Sequence, residues 1–143
     1  MGCTRPTRRL PSSGRIVIAV KVVDASALAA LLFAEPEADA VARQLGDSRL
    51  VAPALLGFEL ANVCLIKARR HPEQQSALTA AFELRHQLSI EEVAVDHDDT
   101  LALAARTRLT TYDASYLWVA RQLGAELVTL DRQLARAEAL SRA

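Results

Sequence analysis

Short apolar runs alternate with longer helix-like stretches along this chain, and this alternation constrains its fold more than any other feature. Each run is rich in Val, Ile or Leu and predicts a buried strand. Strands that are separated by helices pair in parallel through right-handed crossovers, with helices on both faces of the sheet. The predicted strands lie at about residues 16–23, 49–52, 90–95 and 126–129.

The stretches between these runs carry the residues that begin and end helices. Pro36 and Pro72 break helical patterns, Gly46 and Gly124 suit helix ends, and Pro53 suits a first helical turn. The predicted helices lie at about residues 25–34, 36–45, 53–70, 72–87, 97–108, 113–124 and 131–140. The sequence therefore predicts an α/β fold, a three-layer α/β/α domain around a central parallel sheet of about four strands.

The first 14 residues have a different composition from the rest of the chain. They include Pro6, Pro11 and Gly14 among scattered arginines, and such a segment cannot build a core. We expect residues 1–14 to be a basic, disordered tail. Its presence has two explanations: the start codon is placed too early, or the tail is a basic arm that touches nucleic acid. Residues 15–143 are expected to form a single domain of common size.

Charge is balanced overall but unevenly distributed. The chain has 17 basic and 17 acidic residues, and residues 1–21 hold five of the basic residues and none of the acidic ones. The rest of the chain is therefore acidic, which excludes a protein that holds nucleic acid by bulk positive charge alone. An acidic domain suits a site that collects cations.

The sequence predicts a soluble protein of the cytoplasm. No apolar run approaches the roughly 20 residues that a membrane span needs. The two cysteines, Cys3 and Cys64, have neither metal-type spacing nor the density of a disulfide framework.

Glu59 is the most informative single residue. It lies in the run ALLGFELANVCLI at 54–66, where Glu59 and Asn62 are the only polar side chains. A helix that is apolar almost all round is expected to be buried, and a buried, unpaired carboxylate is costly. A metal ion or a basic partner could compensate Glu59, or that face of the helix could be exposed at an edge.

Three aspartates share the position between a strand and a helix or the start of a helix. Asp24 and Asp131 follow predicted strands, and Asp113 begins a helix. Each could be only a helix cap. In a parallel sheet, however, such residues gather at the carboxyl edge, and four carboxylates in one place would need cations between them. Oxygen ligands of this kind select Mg²⁺ or Mn²⁺.

Four short motifs resemble those of the PIN domain family, and more closely its VapC-type ribonuclease toxins. They are VVDASAL at 22–28, FELANV at 58–63, LTTYDASYLWVARQLG at 109–124 and ELVTLD at 126–131. Each motif is weak alone, but the four stand in the family's order over about residues 20–140. The resemblance implies a PIN-like domain and a metal-dependent endoribonuclease that is the toxin of a toxin–antitoxin pair.

The resemblance also implies roles for individual residues. The acidic quartet of the family maps onto Asp24, Glu59, Asp113 and Asp131, which would bind Mg²⁺ or Mn²⁺ and carry catalysis. The small hydroxyl residues of the motifs map onto Ser26 and Thr129, which could orient the metal ligands or water by hydrogen bonds without binding the metal themselves. The implied reaction is the hydrolysis of an RNA phosphodiester bond by water that the metal activates.

Implied partners are an RNA substrate, a cognate antitoxin protein and a second copy of the chain, with no membrane. Leu31, Leu32 and Phe33 on the early helices are the residues expected to serve the homodimer. The family often adds a fifth strand after the last acid, whereas residues 132–143 here predict a helix.

Two other classes of function remain as alternatives. A non-catalytic PIN-like module that binds RNA or protein would be expected to lack one or two of the four acids. A phosphatase built on Asp24 would have Asp instead of Ser at position 26. A receiver-like domain would have an acidic pair before the end of the first strand and a lysine near the last strand, and neither is present. The residues present favour the nuclease.

Overall fold

The structure, a computed structural model, describes residues 18–142 and the side chains of residues 18–141. The predicted tail at 1–14 and the beginning of the first predicted strand lie outside the described residues. Four strands form one parallel sheet in the order β3-β2-β1-β4. They are β1 (Val20–Val23), β2 (Arg49–Pro53), β3 (Glu91–Val93) and β4 (Glu126–Val128).

Helices connect the strands, as the alternation in the sequence predicts. Those of the described chain are α1 (Ala25–Leu32), α2 (Ala38–Leu45), α3 (Leu55–Arg70), α4 (Gln75–Glu83), α5 (His97–Thr107), α6 (Thr111–Leu123) and α7 (Arg132–Arg142), with short 3-10 turns at Pro72–Gln74 and Leu84–Leu88. Helices α2 and α3 both contact α1, and α3 also contacts α4. On the other side α6 contacts both α5 and α7, so two helical layers enclose the sheet. The predicted three-layer α/β/α fold is confirmed.

The chain changes direction across the sheet at β1. From β1 it crosses to β2 and β3 on one side, and β4 then returns to pair with β1 on the other side. In this register Val23 lies opposite Val128, and the backbone N–H of Asp24 donates to the carbonyl of Val128. The carboxyl ends of β1 and β4 therefore meet, at the kind of crevice where open α/β sheets bind ligands.

Local sequence signals account for most helix ends. Gly46 and Gly124 both adopt positive φ and end α2 and α6, as predicted. The start of α6 was predicted at Asp113, but the helix begins earlier because the Thr110 hydroxyl accepts from the Asp113 N–H and caps it. Pro53 is not in the first turn of α3 as predicted. It is the last residue of β2.

Two further boundaries differ from the predictions. The first strand begins at Val20, and Ile18 and Ala19, although apolar, are exposed. The Ala19 carbonyl still accepts from the N–H of Arg49 at 2.8 Å. The predicted helix 72–87 is divided, with α4 in the middle and a 3-10 turn on each side. Its second turn ends at Ser89, which has a left-handed backbone that cannot continue a helix.

The prediction that α3 is buried is wrong. Only Leu56 and Leu60 are buried, whereas Phe58 is 84% exposed and Leu65 and Ile66 are also exposed. One face of α3 packs against α1 and α4, and the opposite face carries these apolar side chains.

The residues expected to serve a homodimer pack against the core of their own chain, and the dimer stays a prediction. Leu32 is buried, and Leu31 and Phe33 are half-buried and pack against the core of the same chain. Their apolar character is thus explained by the fold of one subunit. None of the helices in residues 18–142 is long and apolar enough to cross a membrane.

Candidate active site

Asp24 is the buried centre of the candidate site. It follows β1 directly and caps α1, because its Oδ1 accepts from the Ala27 N–H at 3.0 Å. Its side chain is also held by two hydroxyls, and the residue is only 4% exposed. Ser26 Oγ donates towards both carboxylate oxygens at 2.8 and 3.0 Å, and Thr129 Oγ1 donates to Oδ2 at 2.6 Å. The carboxylate is therefore fixed before any ligand arrives.

The two hydroxyls also join the ends of β1 and β4. Ser26 Oγ accepts from the N–H of Leu130 at 2.9 Å, and Thr129 Oγ1 accepts from the N–H of Asp131 at 3.0 Å. The two hydroxyl oxygens lie 3.3 Å apart. Residues that are more than a hundred positions apart in sequence thus position one carboxylate.

Glu59 is compensated by a hydroxyl. Tyr116 Oη donates to Glu59 Oε1 at 2.8 Å, and no ion pair of the described residues includes Glu59. Tyr116 is 1% exposed. Its burial is the main cause that raises the pKa of its hydroxyl, and the charge of Glu59 is the next, so the hydroxyl keeps its proton and donates it in the hydrogen bond. Sequence reasoning missed Tyr116. Its spacing of three residues from Asp113 on one helix could have indicated it.

Asp113 and Asp131 both lie at the beginnings of helices. Asp113 is in the first turn of α6 and is half-buried. Asp131 precedes α7 and caps it, because its Oδ1 accepts from the Leu134 N–H at 2.9 Å. The position of Asp131 agrees with simple capping, whereas Asp113 is not the cap of α6, because Thr110 takes that position. The surroundings of both residues distinguish them from ordinary helix starts.

The four predicted acids share one electrostatic environment. Burial raises the pKa of Asp24 above its usual value, three hydrogen bonds oppose this rise, and the charge of Asp131 adds to it. Burial and then the charges of Asp113 and Asp24 raise the pKa of Glu59, against the Tyr116 hydrogen bond. Burial and then the charges of Asp131 and Asp24 raise the pKa of Asp113. The fold thus brings all four within range of mutual repulsion.

The donor set suits a hard divalent cation, because it consists of oxygen ligands whose repulsion a cation would relieve. Among residues 18–142, no three His, Cys, Asp or Glu side chains form a group that could hold a metal ion. Mg²⁺ commonly uses only one or two carboxylates and takes its other ligands from water and substrate phosphate. The chemistry of the site fits that mode of binding and not a closed protein cage.

Comparisons with known proteins agree with this architecture. The PIN domain family matches residues 21–140, a span that contains all four acids. Ribonuclease VapC3 of Pyrobaculum aerophilum is 36% identical over 119 residues, which cover 80% of this chain and 91% of that protein. The crystal structure of PAE2754 from Pyrobaculum aerophilum superimposes with a TM-score of 0.67 at 28% identity, over 83% of this chain and 86% of that chain.

Proposed function

The chain belongs to the PIN domain family and is of the VapC type, and we propose that it is a metal-dependent endoribonuclease, the toxin of a toxin–antitoxin pair in the cytoplasm. The observation that carries this proposal is the buried Asp24, which two hydroxyls hold among three further carboxylates. A cap alone needs neither the burial nor the second hydroxyl.

Asp24, Glu59, Asp113 and Asp131 are proposed to hold Mg²⁺ or Mn²⁺, together with water and the RNA phosphate. The ion, when bound, supplies activation of water and neutralises charge on the phosphate during an in-line displacement. Ser26 and Thr129 keep the Asp24 oxygens in one orientation, and Tyr116 favours the ionised form of Glu59.

A cleavage assay tests the proposed function. The purified chain is incubated with Mg²⁺ or Mn²⁺ and with single-stranded RNA, and in parallel with DNA of the same sequence. We expect internal cuts in the RNA, visible as defined fragments on a denaturing gel, and little cutting of the DNA. Binding of RNA without cuts under either metal would instead support a non-catalytic PIN-like module.

Two protein partners belong to the proposal. A cognate antitoxin would cover the acidic site, and a second copy of the chain would form a homodimer. The exposed apolar side chains Phe58, Leu65 and Ile66 on α3 support a contact with another protein. Light scattering tests the dimer, and copurification with the product of the adjacent gene tests the antitoxin.

Thr129→Val is expected to reduce RNA cleavage about 10- to 100-fold, the usual cost of losing a group that orients a metal ligand. Valine has nearly the shape of threonine but neither donates to Asp24 nor accepts from the Asp131 N–H. Cleavage rates and thermal melts are measured together. Thr107→Val is the matched control, because the Thr107 hydroxyl donates to a backbone carbonyl in α5. Equal losses in the two variants would contradict a positioning role.

Tyr116→Phe is expected to shift the acid limb of the pH–rate profile towards higher pH. The hydroxyl stabilises the Glu59 carboxylate, so its removal raises the pKa of Glu59 and leaves less of the ionised form at low pH. The cleavage rate of the variant should be about 2- to 10-fold below that of the wild type at acidic pH and equal to it at basic pH. Ser141→Ala deletes another hydroxyl that donates a hydrogen bond, and serves as the control. A loss of the same size at every pH would exclude this role for Tyr116.

A further inference from the structure

A second feature lies beside the acidic site. A groove of about 740 Å³ opens where β2 and β3 end and where α3, α5 and α6 begin. Its volume is within the range of sites that bind small ligands or single groups of a larger one. Apolar side chains such as Leu55, Val95 and Leu101 form much of its wall.

The groove and the acidic site share one turn of α6. Tyr112, which lines the groove, immediately precedes Asp113, and Ser115 lines the groove two residues after it. Tyr112 is 66% exposed, although a large aromatic side chain usually buries most of its surface. A phosphate that reaches Asp113 therefore lies within one helical turn of an accessible aromatic ring.

The chemistry of the lining suits an uncharged, flat group. Tyr112 offers a stacking surface, and His97 and Thr111 offer hydrogen-bonding groups next to the apolar wall. Among the described residues that line the groove, none is acidic, in contrast to the neighbouring site. Proteins that read single-stranded RNA hold splayed-out bases by stacking on aromatic side chains and by hydrogen bonds to the base edges.

We propose that this groove receives an unstacked base of single-stranded RNA next to the phosphate that is cut, with Tyr112 as the stacking residue. The proposal rests on the proposed function, since it assumes that RNA lies across the acidic site. It makes the groove the part of the protein that selects the sequence to be cleaved. A protein segment is the less suitable occupant, because Tyr112 and Ser115 of the lining flank Asp113 on α6, at the site that the RNA strand must cross.

The test measures RNA binding separately from cleavage. Fluorescence anisotropy with labelled 10-nucleotide single-stranded RNAs is carried out in Mg²⁺ with an Asp24→Asn background, in which cleavage does not interfere. One set of RNAs carries an abasic nucleotide at each position in turn. The variants are Tyr112→Ala, which removes the ring, Tyr112→Phe, which keeps it, and Ala94→Trp, which fills the groove from an exposed position in its lining. Leu140→Ala, at an exposed position on α7, is the control.

We expect Tyr112→Ala to raise the Kd about 5- to 100-fold, as for the loss of one stacked base, and Ala94→Trp to raise it as well. Tyr112→Phe should stay within about twofold of the parent. An abasic nucleotide at one position should weaken binding to the parent but not to Tyr112→Ala, because both changes remove the same contact. Circular dichroism checks that each variant is folded.

Two outcomes overturn the proposal. In one, Tyr112→Ala binds RNA with the Kd of the parent, or each abasic nucleotide that weakens RNA binding to the parent weakens it equally in that variant. In the other, RNA binding is unchanged but Tyr112→Ala and Ala94→Trp alter the sedimentation of the protein, so that the groove is a contact between copies. Failure of the proposed function looks different, because the wild-type chain would then cut no RNA although the abasic effect still disappeared with Tyr112.

Discussion

Replacing Asp24 with asparagine is expected to lower RNA cleavage about 100- to 1,000-fold, the loss typical of removing one electrostatic contribution to transition-state stabilisation, because Asp24 would hold the cation that faces the phosphate. Asp24 is the most buried of the four carboxylates, and hydroxyls on both sides already hold it in position. Its charge is thus the contribution that asparagine removes.

The same substitution is expected to leave the fold intact. Asparagine caps helices as well as aspartate does, so the bond from the Ala27 N–H to position 24 can persist. Loss of the buried charge also removes the repulsion with Asp131, which opposes folding without a cation. We expect the free energy of unfolding to stay within about 1 kcal/mol of the wild-type value.

RNA cleavage rates measured over a dilution series of each protein give the loss of activity, and thermal melts of the same preparations give the change in stability. Asp39→Asn, an identical change at an exposed residue of α2, is the control and should cleave RNA at the wild-type rate. A large loss of stability in Asp24→Asn would mean that the residue is structural. Nearly full activity in a folded Asp24→Asn chain would contradict its role in the site.

Removal of divalent metal is the second change with a large expected effect. EDTA should abolish RNA cleavage, and an excess of Mg²⁺ or Mn²⁺ should restore it, because four carboxylates by themselves offer no group that neutralises a phosphate. A ligand that binds only the folded chain also stabilises it, by about 2.7 kcal/mol at 100 times its Kd. Melting temperature therefore gives a readout that does not depend on RNA.

The melting experiment identifies the residues that hold the ion. Mg²⁺ or Mn²⁺ should raise the melting temperature of the wild-type chain by a few degrees and that of Asp24→Asn much less. The Asp39→Asn control should respond as the wild type does. Cleavage that resists EDTA would rule out the metal mechanism, and an equal thermal response in both aspartate variants would place the ion elsewhere.

The acidic site was only partly predictable. Asp24 and Asp131 could be placed at one edge of the sheet because both follow strands in an alternating pattern, and the register of β1 with β4 agrees with that placement. The sequence identifies Glu59 as an acid in an otherwise apolar helix, but it wrongly predicts that this helix is buried. Its helix is half exposed, and the partner of Glu59 is the hydroxyl of Tyr116.

The sequence alone determined the strands, the helices and several helix ends, because these depend on interactions between residues that are close in sequence. Apolar runs between helical stretches predict the parallel sheet, and Gly46 and Gly124 mark helix ends because they adopt positive φ. Such signals act between residues a few positions apart, so they can be recognised without the fold.

Tertiary structure decided which side chains meet. Ser26 and Thr129 hold one carboxylate although they are far apart in sequence, and Tyr116 reaches Glu59 from another helix. Only the fold sets Tyr112 in an open groove beside Asp113, while Leu32 is packed inside. Contacts of this kind depend on how the helices pack on the sheet, and no local pattern encodes that geometry.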